Sequence, residues 1–181
     1  MRCLRKLLVP AIAGLGYLGS IHALAAEIKV IAYVPEWGVH LQQYYVRNML
    51  DSGAAGKLTA INYSFAIPGP GGNGDVVCQM DDPDAAYQMV YSTGMSVDGV
   101  ADNPSQPLRG HFNQFRKLKG IYPEIKILVA IGGWTGSTWF SDAALTAQSR
   151  QKFVESCVKM FIDGDLPVAG TAGGPGTAAG V

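Results

Sequence analysis

The stretch Lys126-Ile127-Leu128-Val129-Ala130-Ile131-Gly132-Gly133-Trp134 restricts the fold more than any other part of this chain. It is an apolar run of strand length that stops at two glycines and a tryptophan. A strand covered on both faces is continuously apolar instead of alternating, so the run reads as a buried parallel strand. Adjacent glycines at its end let another backbone or a ligand come close, and the strand then delivers an indole to that place.

Strand and helix patterns alternate on either side of it. Ile28 to Val34 reads as a strand ended by Pro35, and Leu41 to Leu50 places Leu41, Tyr44, Tyr45 and Met49 along one helical stripe. Lys57 to Ile67 gives a second strand. A segment rich in Gly, Asp and Pro runs from Pro68 to about Pro107, with Asp84 to Met89 a short helix inside it. So long a loop in a compact domain is either functional or partly folded. Leu108 to Tyr122 is a helix with Phe112, Phe115, Leu118 and Lys119 spaced for one side, stopped by Gly120 and Pro123. After the strand Ile125 to Ile131, the segment Ser141 to Ile162 carries Leu145, Phe153, Cys157, Met160 and Phe161 on a helical period. Three strand-helix units in succession imply parallel strands with right-handed crossovers, an α/β fold.

The amino-terminal stretch stands apart. Arg2, Arg5 and Lys6 precede an uncharged apolar segment from Leu7 to about Gly19, followed by Ala23-Leu24-Ala25, the pattern of a secretory signal cleaved near Ala25. Export to the extracellular side is the expectation, with no membrane attachment after cleavage. Loss of three basic residues leaves 11 Lys and Arg against 14 Asp and Glu, a balance that favours neither nucleic acid nor an anionic membrane. Gly14-Leu15-Gly16-Tyr17-Leu18-Gly19 matches a dinucleotide-binding fingerprint in its letters, with Glu36 near the place of a ribose-binding acid. That fingerprint needs a strand before it and a helix after it, and here Pro10 and the basic cluster occupy the strand position. Cys3 leaves with the signal; for Cys78 and Cys157 a disulfide and two free thiols both fit. His22, His40 and His111 form no metal-ligand spacing, and neither a metal nor a cofactor is expected.

Three motifs in order carry a family likeness: Ile31-Ala32-Tyr33-Val34-Pro35-Glu36-Trp37, Ile61-Asn62-Tyr63-Ser64-Phe65-Ala66 and Ala130-Ile131-Gly132-Gly133-Trp134. Residues 27 to 181 resemble the opening of a family 18 glycoside hydrolase, most of all a secreted bacterial chitinase. The stretch Ser96-Val97-Asp98-Gly99-Val100-Ala101-Asp102, running on through Pro107-Leu108-Arg109-Gly110 to Lys119, is similar to one bacterial branch of that family.

The resemblance implies an incomplete (β/α)8 TIM barrel of about three strand-helix units, with the long insertion after strand two and chemistry at the carboxyl ends of the strands. It implies chitin or N-acetylglucosamine oligosaccharides as partners. The implied mechanism is substrate-assisted and retaining: the sugar's own N-acetyl group attacks the anomeric carbon, a glutamic acid protonates the leaving oxygen, and an aspartate orients the acetamide. Both carboxyl groups come from a strand-four motif, Asp-Gly-x-Asp-x-Asp-x-Glu, which this sequence does not contain. No catalytic acid is therefore assigned within these residues, and the chain by itself is expected to be inactive and, with an unfilled inner face, prone to unfold or aggregate. Asp163 and Asp165 follow a helix, not a strand, and are read as a solvated helix end; residues 164 to 181 are read as a flexible tail.

By the same comparison Tyr33 gives its hydroxyl to the strand-four aspartates, Phe65 closes the floor beneath the reactive sugar, and Gly132 and Gly133 lead to Trp134, which stacks on a sugar face together with Trp37 and, more remotely, Trp139. Each also has a plain alternative, packing within a core. Glu36 is a candidate polar contact or an exposed loop acid. Where this sequence has Ala130 the family commonly has serine, and the missing hydroxyl is expected to shift the pH behaviour of the carboxylate relay. The alternative function is a non-catalytic chitin-binding or carbohydrate-binding protein that uses the aromatic residues alone.

Overall fold

The computed structural model describes residues 28–181. The signal expected over residues 1–25, Cys3 and the dinucleotide-like glycines lie outside the described residues. Strand β1 (Ile31–Pro35) leads into two short helices, α1 (Gly38–Leu41) and α2 (Val46–Asp51). Strand β2 (Ala60–Pro70) is followed by β3 (Val76–Met80), and then by α3 (Gly110–Ile121), β4 (Lys126–Ile131), α4 (Phe140–Ala144) and α5 (Ala147–Phe161). A hairpin of β5 (Leu166–Ala169) and β6 (Ala172–Gly174) comes last.

The sheet is mixed, and β2 is its spine. The first half of β2 lies between two parallel neighbours, with Ala60 paired to Ile31 of β1 and to Lys126 of β4, and Ser64 paired to Pro35 and to Ala130. The register shifts at Phe65, after which Ala66 faces Ile131. Beyond that point β2 runs on past its parallel neighbours and pairs antiparallel with β3, from Ala66 opposite Met80 to Pro70 opposite Val76. The insertion expected to begin at Pro68 thus opens as a hairpin arm. The prolines are tolerated because this arm stands at the margin of the sheet, where a missing donor is cheap.

Burial alternates across the parallel strands. Ile61 and Tyr63 of β2 and Val34 of β1 turn to the helices, where they meet Phe112, Phe115 and Leu118 of α3 and Val46 and Met49 of α2. The Tyr63 ring meets Phe112 and Phe115 edge-on at centroid distances of 5.4 and 5.6 Å. Burying such rings contributes about 2–3 kcal/mol apiece, so this layer dominates the core. The opposite face presents Ile31, Tyr33 and Leu128, each about half exposed or more.

Three local expectations change. The helix expected over residues 41–50 is split, because Gln43 takes a positive φ of 51° and turns the chain; Leu41 ends α1 on the surface. The helix expected over residues 141–162 is likewise two, divided at Thr146. There Thr146 Oγ1 accepts the Ser149 amide at 3.0 Å while Ser149 Oγ accepts the Thr146 amide at 2.9 Å, a reciprocal cap that starts α5 afresh. Leu145 falls in the break and is exposed, outside the apolar stripe.

The flexible tail expected over residues 164–181 is instead a seated hairpin. Leu166, Ala172 and Ala178 are buried in the main core. Arg109 donates to Thr171 Oγ1 at 3.0 Å, Arg116 donates to the Thr177 carbonyl at 2.6 Å, and the Tyr87 hydroxyl donates to the Pro167 carbonyl at 3.0 Å. Asp165, expected as a solvated helix end, accepts the Gly176 amide at 2.7 Å, whereas Asp163 is exposed. The insertion is folded too, as β3, a single wide helical turn at Asp84–Gln88, and a loop fixed by Lys117, whose ammonium donates to Ser96 Oγ, Asp98 Oδ1 and the Val100 carbonyl at 2.7, 2.8 and 3.0 Å. Of the two states open to the cysteines, the structure has the disulfide: Cys78 of β3 is joined to Cys157 of α5, with Cα atoms 5.1 Å apart.

Candidate active site

Ligands of open α/β sheets gather at the carboxyl ends of parallel strands, where loops diverge and backbone groups are free of the ladder. Here those ends are Pro35 of β1, the Ser64–Phe65 region of β2 and Ile131 of β4, brought side by side by the register. The Ser64–Phe65 peptide is cis.

Trp37 leaves β1 and lays its indole over the Phe65 ring, with centroids 6.1 Å apart and planes inclined by 25°. Gly133 lies against the same ring: a methyl group at its Cα would be 3.1 Å from Phe65. Gly132 holds φ near 102° and leaves room for Phe140, whose ring would be 2.7 Å from an added methyl. Both glycines therefore accept aromatic rings of the chain itself where a side chain would collide, and both sit in backbone regions that L-residues rarely enter. Trp134 follows at 102% exposure, touching no core side chain that could account for it as packing. Trp37, Trp139 and Phe140 are each about two-fifths exposed.

The structure thus brings Trp37, Phe65 and Gly133 into one stacked group, with Gly132 beside it and Trp134 projecting from it. Tyr33 is the middle residue of β1, not its end, and stands 64% exposed in a row with Asn62 and Leu128. Ala130 is in register with the buried Ser64.

Glu36 differs most from its expected role as an exposed loop acid. It is only 2% exposed, because the loop after β3 folds over it. Its amide donates to the Ser64 carbonyl at 2.8 Å and its Oε2 accepts the Asp82 amide at 3.1 Å. Burial pushes its carboxyl up to about 7, helped by the charges of Asp81 and Asp82 and opposed by the amides of Asp82 and Phe65, which favour the charged form. Asp82 is itself engaged, with Oδ2 2.8 Å from His40 Nε2 and Oδ1 accepting the Ala85 amide at 3.0 Å. The sequence signal for this group was slight: an acid directly after Pro35, and the pair Asp81-Asp82 before Pro83. Behind β2, His111 is fully buried with Nδ1 3.1 Å from the Tyr63 hydroxyl, and burial lowers its pKa to about 4.

No group of three or more His, Cys, Asp or Glu side chains suited to a metal occurs among the described residues. An apolar cavity of about 280 Å³ lies between β4 and α5, lined by Phe112, Ile127, Val129, Met160, Phe161 and Val181. None of the candidate site residues borders it.

An open stacked aromatic surface with adjacent glycines can bind a flat apolar face that carries polar edges, as a pyranose ring does. Comparison with known proteins finds relatives of this chain. Chitinase C of Streptomyces lividans is 47% identical over 145 residues, covering 80% of this chain and 22% of its own length. Chitinase 63 of Streptomyces plicatus is 45% identical over 138 residues, covering 76% of this chain and 21% of its own. The chain therefore spans about a fifth of the length of these relatives. Among solved structures, the catalytic domain of psychrophilic chitinase B from Arthrobacter TAD20 superposes with a TM-score of 0.78 at 38% identity, over 84% of this chain and 38% of that one. Residues 29–167 match the family described as Glycosyl hydrolases family 18. With more than half its length in that match and the α/β arrangement of the Arthrobacter catalytic domain, this chain belongs to glycosyl hydrolase family 18.

Proposed function

We propose that these residues form the first part of a secreted chitinase-type enzyme that hydrolyses β-1,4-linked N-acetylglucosamine polymers. In this reading β1, β2 and β4 are the first three strands of a (β/α)8 barrel, residues 1–25 are the export signal, and the hairpin arm of β2 and β3 belongs to an insertion on the barrel rim. The observation that carries it is the Trp37–Phe65 stack, backed by Gly133 at the adjoining strand end. Phe65 forms the floor, Trp37 and Trp134 grip sugar faces, and Tyr33 points its hydroxyl toward the acidic groups of the reaction.

The chemistry in this reading is substrate-assisted. An acetamide oxygen attacks the anomeric carbon as a glutamic acid protonates the departing oxygen, and the configuration is retained. The sequence has no Asp-Gly-x-Asp-x-Asp-x-Glu stretch, so the residues present bind and orient while the acid comes from elsewhere in the complete enzyme. Ala130 beside Ser64 leaves the relay one hydroxyl poorer than in most of the family.

The test is calorimetric titration of the chain with an N-acetylglucosamine hexasaccharide, run beside a hydrolysis assay. Binding without turnover is expected, and Trp37→Ala or Trp134→Ala should weaken it about tenfold, the value of one stacking contact of roughly 1.4 kcal/mol. Turnover by the chain itself would overturn the assignment of the acid. Unchanged affinity in both variants would overturn the aromatic site. The alternative, favoured by the missing acidic motif, is a protein that binds chitin and does not cleave it.

A further inference from the structure

The buried carboxyl of Glu36 has no part in the proposed chemistry, yet it is hydrogen-bonded to the backbone of Phe65, one member of the aromatic pair. It is adjacent in sequence to Trp37. Its amide is bonded to the Ser64 carbonyl, next to Phe65, at 2.8 Å, and its Oε2 is bonded to the Asp82 amide at 3.1 Å. Asp81 extends the same join, its amide donating to the Phe65 carbonyl at 3.4 Å. Three segments that are remote in sequence, the exit of β1, the bend of β2 and the loop after β3, therefore meet at Glu36, which is 2% exposed.

We propose that Glu36 is a positioning residue: its carboxyl group, bonded to the loop after β3, fixes the tilt of Trp37 over Phe65 and so sets the affinity of that pair for a pyranose face. This rests on the sugar-binding reading above. A buried group held by backbone amides transmits its state to its neighbours because the packed surroundings offer no other arrangement.

The carboxyl is placed to respond to pH, since burial has moved it to about 7. The charged and titratable groups around it are Asp81 and Asp82 on the loop after β3, His40 on α1 beside Asp82, and Tyr63 on β2, with His111 on α3 behind them. Charged, Glu36 accepts amides strongly; neutral, it presents a hydroxyl proton to donors that cannot receive it. The hydrogen bonding between β1, β2 and the β3 loop therefore changes as Glu36 gains or loses its proton.

The experiment has two readouts on the full chain. In the Trp134→Phe/Trp139→Phe background Trp37 is the remaining indole, and its emission is followed from about pH 5 to pH 9 without ligand. A transition centred near 7 is expected, and Glu36→Gln should abolish it. With all tryptophans present, Glu36→Ala should weaken binding of the N-acetylglucosamine hexasaccharide about tenfold, while Glu36→Gln retains it within about threefold and loses its pH dependence. A Trp37 transition that persists in Glu36→Gln, or no transition in the parent, overturns the proposal, as does full affinity in Glu36→Ala. If the parent binds no hexasaccharide, the sugar-binding reading falls by itself and the Trp37 transition alone decides whether Glu36 positions the pair.

Discussion

Gly133 holds its Cα so near the Phe65 ring that a single added methyl would stand 3.1 Å from it. The approach lies beside the backbone hydrogen bond from the Gly132 amide to the Ala66 carbonyl, 2.7 Å, that joins the end of β4 to the bend of β2. Gly133→Ala should cost about 1–2 kcal/mol, from the positive φ of 83° and from displacement of the ring, and should lower hexasaccharide affinity by tilting Phe65 under Trp37. Thermal denaturation and calorimetric titration read the two effects separately. A variant as stable and as tight-binding as the parent would show that the ring moves freely.

Stability should depend on pH through two groups that work against each other. Glu36 is raised from 4.5 to about 7, so folding favours its protonated form; that contribution is complete below about 4.5 and is lost as pH rises to about 7. His111 is lowered from 6.5 to about 4, so folding favours its neutral form; that contribution is complete above about 6.5 and is lost as pH falls to about 4. The opposing slopes leave the parent nearly level between pH 4.5 and pH 6.5. Glu36→Gln removes one of them, and its Tm should climb from about pH 4 to about pH 6.5. A Tm in that variant as level as the parent's would contradict the balance.

Reduction of Cys78–Cys157 should destabilise the fold by roughly 4 kcal/mol, the chain-entropy value for a closed loop of 79 residues. Urea denaturation of the parent and of Cys78→Ser/Cys157→Ser measures it. Most of the loss should appear where β3 meets α5, a contact otherwise held by Asp75–Lys152, paired at 2.7 Å, and by the Cys78 amide donating to Ser156 Oγ at 2.9 Å.

The row of Ile31, Tyr33 and Leu128 presents apolar side chains to solvent on one sheet face. Faces of this kind bind hydrophobic dyes and associate. The isolated chain should bind 8-anilinonaphthalene sulfonate and sediment as more than a monomer, and Leu128→Glu should reduce both. A monodisperse monomer with no dye binding would contradict this.

The strand-helix order was legible because each parallel strand is a largely apolar stretch of strand length and α3 buries Phe112, Phe115 and Leu118 at helical spacing. Periodicity could not show that Leu145 lies in a break, since Thr146 and Ser149 settle that by hydrogen bonding and not by hydropathy. The hairpin of residues 166–174 was illegible for a related reason: Gly and Ala carry almost no strand propensity, and Arg109, Arg116 and Tyr87, all far away in sequence, hold it. In the candidate site the aromatic residues were legible as residues beyond strand ends. The burial of Glu36 was not, because a loop more than forty residues later covers it.

The covalent link between β3 and α5 has one more consequence, and it concerns damage. The loop it closes contains α3, β4, both site glycines, Trp134 and the exposed bend around Val100. A protease that cuts once anywhere inside this ring leaves two polypeptides still tied together, with the aromatic group astride the tie. The lesion would be visible on a gel only after a thiol had been added.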